Sequence, residues 1–148
     1  MRVPRPLPDA PAWFGSFDVV QVNEDEMQQL GDDPLQVAAG ALAQGCRTLV
    51  VTLGSKGAAY FEQVPDGATR RRAGPVRTAL VPGEGPPVLE GDPTGCGDVF
   101  GATVVASLLA GLPLEDALRR GTRMGARNVS HRGATGLRDH LLGRLSAV

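Results

Sequence analysis

The stretch Asp-Pro-Thr-Gly-Cys-Gly-Asp at residues 92–98, followed directly by the apolar run 99–110, decides the fold of this chain. Gly95 and Gly97 free the backbone to turn tightly and let a ligand approach the amides. The first N–H groups of a helix have no partners inside the helix and share the positive end of its dipole. The stretch therefore predicts a helix N-terminus that attracts an anion such as a phosphate.

Asp98 is unexpected in such a turn, because its carboxylate would repel a bound phosphate. One interpretation gives it a chemical role. Asp98 takes a proton from an attacking hydroxyl, while the amides of Gly95, Cys96 and Gly97 stabilise charge on a phosphoryl group in transfer. The other interpretation is that Asp is favourable in any first helical turn. We interpret Cys96 as a small residue that fits the turn rather than as a nucleophile, because no His stands at a suggestive spacing.

Strand and helix patterns alternate before this motif. Short apolar runs at 17–22 and 48–53 predict buried strands, and the second run continues through a tight turn into another strand. A helix is predicted at 34–44, with an apolar stripe of Leu35, Ala38, Ala39 and Leu42. Residues 1–16 are rich in Pro and lack periodicity, so they predict a loose N-terminal arm before a domain at 17–148. The alternation predicts an α/β domain with a mainly parallel sheet flanked by helices.

The remaining segments complete this outline. Residues 62–87 predict a loop with one short edge strand near Val76. The run 99–110 is apolar almost all round, which predicts a buried helix. Pro113 suits the first residue of a further helix that runs towards Val129.

Composition excludes several classes of protein. The 148 residues carry a net charge of −1, so nucleic acid is not an expected partner. Cys46 and Cys96 lie far apart and lack metal-site spacing, so neither a zinc site nor a disulfide framework is predicted. No apolar run approaches the roughly 18 residues of a membrane span, and the first residues lack the apolar stretch of a signal peptide. We expect a soluble cytoplasmic protein without a membrane partner.

With its glycines and its final acid, the run 92–98 resembles the signature Asp-Thr-x-Gly-Ala-Gly-Asp of the ribokinase-like, PfkB-type carbohydrate kinases. The chain departs from that pattern at Pro93, at Cys96, and at Thr103, where a Gly is common in the following helix. The glycines and the acid are kept.

Two further elements of this family appear in the expected order. Asn23-Glu-Asp-Glu26 is similar to the family's Asn-x-x-Glu element, and Thr52-Leu-Gly-Ser-Lys-Gly57 is similar to its Thr-Leu-Gly-x-x-Gly turn. Residues 126–134 resemble the helix exit and loop beside the adenine. The resemblance covers residues 17–136 and implies the C-terminal half of a ribokinase-like layered fold.

The resemblance also implies a function, ATP-dependent phosphoryl transfer to a hydroxyl of a sugar or sugar-like acceptor. Asp98 would be the general base, and the amides of Gly95, Cys96 and Gly97 the anion hole. The residues implied to bind the nucleotide or its phosphates are Asn23, Glu26, Thr52, Gly54, Ser55, Lys56, Gly57 and Gly97. Glu26 would hold Mg²⁺ through water. Asp92 and Thr94 match positions at a monovalent-cation site in several family members, which makes K⁺ a candidate cofactor.

Each short motif also has a plain structural interpretation, and both interpretations stay open. Asn23 and Glu26 form the pattern of a helix capping box. Residues 52–57 suit a hairpin turn in which glycines take positive φ. His131 and His140 are isolated in sequence, and we expect surface or capping roles for them.

Family members are much longer than this chain, and their N-terminal half supplies most acceptor contacts. The alternative function is therefore a non-catalytic nucleotide-binding fragment or subunit that needs a separate N-terminal half. An exposed sheet edge would also permit a homo-oligomer. Ribose, fructose, a sugar phosphate and a nucleoside all stay open as acceptors.

Overall fold

The computed structural model describes residues 13–64, 75–84, 91–131, 133 and 135–144. The strands are β1 (Val19–Asn23), β2 (Thr48–Thr52), β3 (Gly57–Gln63) and β4 (Val76–Pro82). The helices are α1 (Glu24–Leu30), α2 (Pro34–Ala43), α3 (Cys96–Leu109), α4 (Leu114–Asn128) and α5 (Gly136–Leu141). Short 3-10 turns lie at Phe14–Ser16 and Gly54–Lys56.

The chain divides into two compact units, each of which is described by itself. The first contains the described residues up to Leu53, together with those from Ala59 to Leu80. The second contains Gly54–Ala58 and the described residues from Val81 onwards. Most of the predicted arm at 1–16, and much of the predicted loop at 62–87, lie outside the described residues.

The four strands form one sheet in the order β1-β2-β3-β4. β1 and β2 are parallel, with Asn23 opposite Thr52, because α1 and α2 form the crossover that parallel strands need. β3 runs antiparallel to β2, since Gln63 at its end donates to the carbonyl of Arg47, just before β2, at 2.9 Å. The α/β class is confirmed, but the described sheet is mixed rather than mainly parallel. The link of four residues between β2 and β3 is too short for a crossover.

The first unit packs a core of apolar side chains between the sheet and its helices. Its members are Phe14, Val22, Met27, Ala38, Ala41, Cys46, Leu49 and Val51. Phe14 is buried, so it belongs to the packed part of the chain although its position fell within the predicted arm. Burial raises the pKa of the Cys46 thiol, as expected for a small side chain that packs as a hydrophobe.

Helix α2 starts where its capping residue predicts. Asp33 precedes Pro34, and its Oδ1 accepts the N–H of Leu35 at 2.9 Å, so the first turn has a side-chain cap. The predicted apolar stripe is only partly right. Ala38 and Leu42 are buried, whereas Leu35 and Ala39 are exposed. The buried face is therefore rotated towards Ala41.

In the second unit, α3 packs against α4 at a point where α4 carries glycines. A Cβ at Gly121 would lie 2.7 Å from Val104 Cγ2 and 2.9 Å from Phe100 Cδ2. A Cβ at Gly125 would lie 3.2 Å from the carbonyl oxygen of Cys96. The small residues thus let the two helices approach closely, which brings the end of α4 beside the start of α3.

The predicted burial of α3 on all sides is wrong. Phe100 and Val104 are buried, but the opposite face is open, with Val105 51% and Leu109 84% exposed. The reason is that α4 covers only one side of α3. None of the helices in the described part of the chain is long and apolar enough to cross a membrane.

Candidate functional site

The glycine loop, residues 92–98, forms a tight turn at the start of α3. Gly95 is the residue before the helix and has φ +80°, a conformation that side chains other than glycine adopt with difficulty. Oδ1 of Asp92 accepts the N–H of Thr94 at 2.9 Å, and the carbonyl of Pro93 accepts the N–H of Cys96 at 3.1 Å. These two short-range hydrogen bonds hold the backbone of residues 92–96 in one conformation just before α3.

The three residues predicted to form an anion hole are placed together at the N-terminus of α3. Gly95 precedes the helix, and Cys96 and Gly97 are its first two residues. The Cys96 amide already donates to Pro93, so a bound anion would have to share it. Among the described residues, the N–H of Gly95 has no hydrogen-bond partner. The helix end can therefore present amide hydrogen to an anion, with the dipole in support.

Asp98 lies in the first turn of α3 with its side chain exposed. Within the described part of the chain it makes no side-chain hydrogen bond or ion pair. A carboxylate without a structural partner is available to accept a proton from a hydroxyl placed beside it. Its position on the first turn agrees equally with a favourable interaction with the helix dipole.

A second group of residues, at the end of α4 and after it, holds the glycine loop. The N–H of Asp92 donates to the Val129 carbonyl at 3.1 Å, and Asp92 Oδ2 accepts the N–H of Gly133 at 2.8 Å. Asn128 is fully buried, at 0% exposure. Its Nδ2 lies 3.0 Å from the carbonyl oxygen of Thr94 and 3.6 Å from Cys96 Sγ.

Sequence reasoning missed Asn128. A signal was present, because Asn128 continues the buried face of α4 that Leu118, Gly121 and Gly125 define. A polar side chain in an otherwise apolar or small stripe must find partners when it is buried. Here the partners are atoms of the glycine loop.

His131 is not at the surface, but it has the other role that was expected, that of a cap at the end of α4. It is buried, its Nδ1 lies 3.0 Å from the Arg127 carbonyl oxygen, and its ring centroid lies 4.7 Å from that of His140. The two histidines, isolated in sequence, are therefore neighbours in space. Two buried atoms, His131 Nε2 and Asn128 Oδ1, have no hydrogen-bond partner within the described residues.

The first unit contains the Asn23 and Glu26 pair. Asn23 Oδ1 accepts the N–H of Glu26 at 2.8 Å, and Glu26 Oε2 accepts the N–H of Asn23 at 2.8 Å. The capping box is thus formed at the start of α1. Because a carboxylate has a second oxygen, this cap leaves Glu26 able to hold a hydrated cation as well. Asn23 stands opposite Thr52 at the ends of two parallel strands, the edge where α/β folds commonly bind ligands.

The turn after β2 has glycines where positive φ is required. φ is +57° at Gly54 and +105° at Gly57, while Gly54, Ser55 and Lys56 are exposed. A Cβ at Gly57 would lie only 2.1 Å from the carbonyl oxygen of Val81. The turn interpretation therefore explains Gly57 by close backbone approach, whereas it gives no structural reason for the exposure of Ser55.

These motifs and their order find a match among known families. The model of the family described as pfkB family carbohydrate kinase matches residues 2–140. The chain belongs to the pfkB family. No curated protein matches it. All three sequence motifs fall within the matched residues.

Solved structures support the same assignment. An E. coli protein described as ribokinase II, in complex with ATP and Mg²⁺, is 28% identical with a TM-score of 0.69, over 86% of this chain and 38% of that one. Ribokinase from Arabidopsis thaliana, complexed with ribose and ATP, is 26% identical with a TM-score of 0.66, over 82% of this chain and 37% of that one. The nucleoside kinase of Burkholderia thailandensis, in complex with inosine, is 25% identical with a TM-score of 0.63, over 83% and 36%.

The described fold is thus ribokinase-like. The chain spans 36–38% of the length of these three solved structures.

Proposed function

We propose that this chain carries nucleotide-binding and phosphoryl-transfer residues of an ATP-dependent kinase that acts on a hydroxyl of a sugar or nucleoside. The observation that carries the proposal is the placement of Asp98. It is exposed and unpaired among the described residues, on the first turn of a helix whose preceding residue, Gly95, has an amide without a partner. A base and an anion-stabilising helix end thus lie within one turn of each other, as transfer of a phosphoryl group to a hydroxyl requires.

In this proposal each motif has one task. Asp98 accepts the proton of the acceptor hydroxyl, and the amides of Gly95, Cys96 and Gly97 stabilise negative charge on the transferred group. Because Cys96 also donates to Pro93, Gly95, whose amide has no partner among the described residues, would carry most of that stabilisation. The amides need no reorganisation during the reaction, since the turn and the helix hold them.

Two further sets of residues are proposed to bind Mg-ATP. Glu26 would hold hydrated Mg²⁺ through the carboxylate oxygen that the capping box does not use, and Asn23 would donate to phosphate oxygens through its side-chain NH₂ group. The exposed turn would line the nucleotide with Thr52, Gly54, Ser55, Lys56 and Gly57. Within the described residues no three His, Cys, Asp or Glu side chains form a metal-binding group. Mg²⁺ would therefore be held mostly by water and phosphate, as is common for this ion.

Relatives support the choice of substrates. ATP and Mg²⁺ are bound in the E. coli structure, ribose and ATP in the Arabidopsis structure, and inosine in the Burkholderia structure. In each of these three structures, a similar fold binds a nucleotide, a ribose-containing compound or both. We therefore propose ATP and Mg²⁺ as cofactors and a ribose-like hydroxyl compound as the acceptor.

A second function is favoured by a separate observation, the open apolar face of α3. Val105 and Leu109 are exposed there, and the chain matches less than half of each solved relative. In this alternative the chain binds nucleotide without catalysing transfer, and a separate N-terminal half or a second copy covers the apolar face.

Calorimetry with Mg-ATP and a turnover assay over ribose, fructose and nucleosides test both functions. Both are run on the chain alone and on the chain co-expressed with the N-terminal half of a full-length family member. Asp98→Asn should keep nucleotide affinity and lose turnover by about 10²- to 10⁴-fold, the usual contribution of a general base. The matched control is Asp116→Asn, which removes an exposed first-turn carboxylate from α4 and should change neither quantity.

The outcomes separate the two functions. Unchanged turnover in Asp98→Asn would refute the base assignment. Nucleotide binding without turnover in either setting would favour the non-catalytic alternative. Lack of nucleotide binding by the folded chain in both settings would contradict both functions.

A further inference from the structure

We propose that Asn128 is a positioning residue for the glycine loop. Its buried amide holds the loop in the conformation in which the start of α3 presents the Gly95 N–H to an anion. This role rests on the proposed function, because the glycine loop is the proposed anion site. Asn128 would touch neither the phosphoryl group nor the acceptor, and it would act on the reaction only through the loop.

The contacts of the Asn128 amide are both with the glycine loop. Its Nδ2 donates to the Thr94 carbonyl at 3.0 Å and lies 3.6 Å from Cys96 Sγ. These two residues flank Gly95, which has φ +80°. Because the Asn128 side chain is fully buried, water does not compete for these contacts. One side chain thus restrains the residues on both sides of the amide that is proposed to face the anion.

Close packing of α3 and α4 brings Asn128 within reach of the loop. A Cβ at Gly125 would lie 3.2 Å from the carbonyl oxygen of Cys96, so the backbones of the two helices meet there. Asn128 follows three residues later, on the same face of α4. A short side chain at this position reaches the loop because no Cβ at Gly125 keeps the helices apart.

The second prong of the Asn128 amide argues against a role in helix packing alone. Its Oδ1 is buried and has no hydrogen-bond partner within the described residues, and such an acceptor is destabilising. A leucine has a similar branched shape and would avoid this cost. It could not supply the donor to the Thr94 carbonyl. The amide therefore stabilises the conformation of the loop rather than the contact between the helices.

Amide hydrogen exchange of the whole chain, followed by NMR, tests this role without nucleotide or turnover. Asn128→Leu removes the donor and keeps the branched shape of the side chain. The amides of Cys96 and Val99 donate to carbonyls of the glycine loop. They should exchange about tenfold faster in this variant, as expected for the loss of roughly one hydrogen bond. The amide of Ala117, in the first turn of α4, should exchange at the wild-type rate.

The matched control is Thr122→Val, which changes a buried polar residue of the same helix. Thr122 Oγ1 donates within α4 to the Arg119 carbonyl, so this variant should leave the exchange of the loop amides unchanged. Unchanged exchange in Asn128→Leu, or equal acceleration in both variants, would overturn the proposal. Asn128→Ala adds no bulk and replaces the leucine variant if that variant does not fold. If neither folds while Thr122→Val does, the whole fold depends on Asn128, and the proposed role is wrong.

Turnover links the loop to the proposed reaction. In the assay with the co-expressed N-terminal half, Asn128→Leu should lower kcat by about 10- to 100-fold, the cost of a misplaced reacting group. KM for Mg-ATP should stay close to the wild-type value, because most residues proposed to bind the nucleotide lie outside the loop. A raised KM with unchanged kcat would overturn the positioning role. A wild type without turnover would count against the proposed kinase function, and hydrogen exchange would still decide whether Asn128 holds the loop.

Discussion

The substitution Gly57→Ala should show how strongly the fold depends on close backbone approach in the turn after β2. φ at Gly57 is +105°, and a new Cβ would lie 2.1 Å from the Val81 carbonyl oxygen and 2.5 Å from the Gly83 amide nitrogen. Both neighbours are backbone atoms and cannot rotate away. Relief requires the strand end to move, and that movement strains the bond between the Gly83 N–H and the Lys56 carbonyl, 3.1 Å long.

Gly54→Ala is the matched control. It lies in the same turn with φ +57°, but nothing stands within 4 Å of its new Cβ. Both substitutions carry the cost of a left-handed alanine, about 1–2 kcal/mol. Gly57→Ala adds overpacking of about 1–3 kcal/mol and the loss of one backbone hydrogen bond, about 0.5–1.5 kcal/mol. We therefore expect Gly57→Ala to be the more destabilising by about 1.5–4.5 kcal/mol.

Urea denaturation monitored by circular dichroism measures the free energy of unfolding of both variants. A domain of ordinary stability has about 5–15 kcal/mol in total, so Gly57→Ala is expected to lose a large part of it, while Gly54→Ala stays folded. If the free energies of unfolding of the two variants differed by less than about 1 kcal/mol, the close approach of Gly57 to the Val81 carbonyl would be refuted.

Three further predictions concern other parts of the chain. Asn23→Ala should lower the free energy of unfolding by about 0.5–2 kcal/mol through loss of the helix cap, measured by urea denaturation; an unchanged value would contradict the capping box. Arg123 lowers the pKa of Glu84 mainly by hydrogen bonding, so this pair stabilises the fold above the ordinary carboxyl pKa. The difference in melting temperature between wild type and Glu84→Gln should thus be largest at neutral pH and vanish once the pH falls through the lowered pKa; a constant difference would refute this. Leu109→Gln should change stability by less than about 0.5 kcal/mol, whereas Leu118→Ala should cost about 2–5 kcal/mol; equal losses would mean that the outer face of α3 is covered in the isolated chain.

The local elements of this fold were predictable because each depends on near neighbours in sequence. Asn23 and Glu26 stand at capping-box spacing and form that box. Gly95 stands before an apolar run and takes the positive φ that a helix start of this kind requires. β4 lies where the edge strand near Val76 was predicted. In each case the local conformation depends on residues that are close together in the sequence.

The features that the sequence did not reveal depend on partners distant along the chain. The apolar run of α3 predicts burial, but only contact with α4 selects which side of it is covered, so Leu109 is exposed. Asn128 finds its partner Thr94 34 residues away, and no spacing rule connects the two. Helix α5 has six residues, fewer than two turns, and is too short for a periodic pattern to indicate it.

The contact between Asp92 and Gly133 has a consequence for the order of folding. It joins positions 41 residues apart, so it can form only after the chain between them has folded back through α3 and α4. Closing a loop of this length has an entropic cost that local turns do not bear. During synthesis, a chain that has emerged only as far as α3 would contain the glycines and Asp98. It would still lack the Val129 carbonyl and the Gly133 amide, which hold Asp92 in place. The glycine loop should therefore be among the last parts of the second unit to become ordered, and among the first to open when α4 detaches.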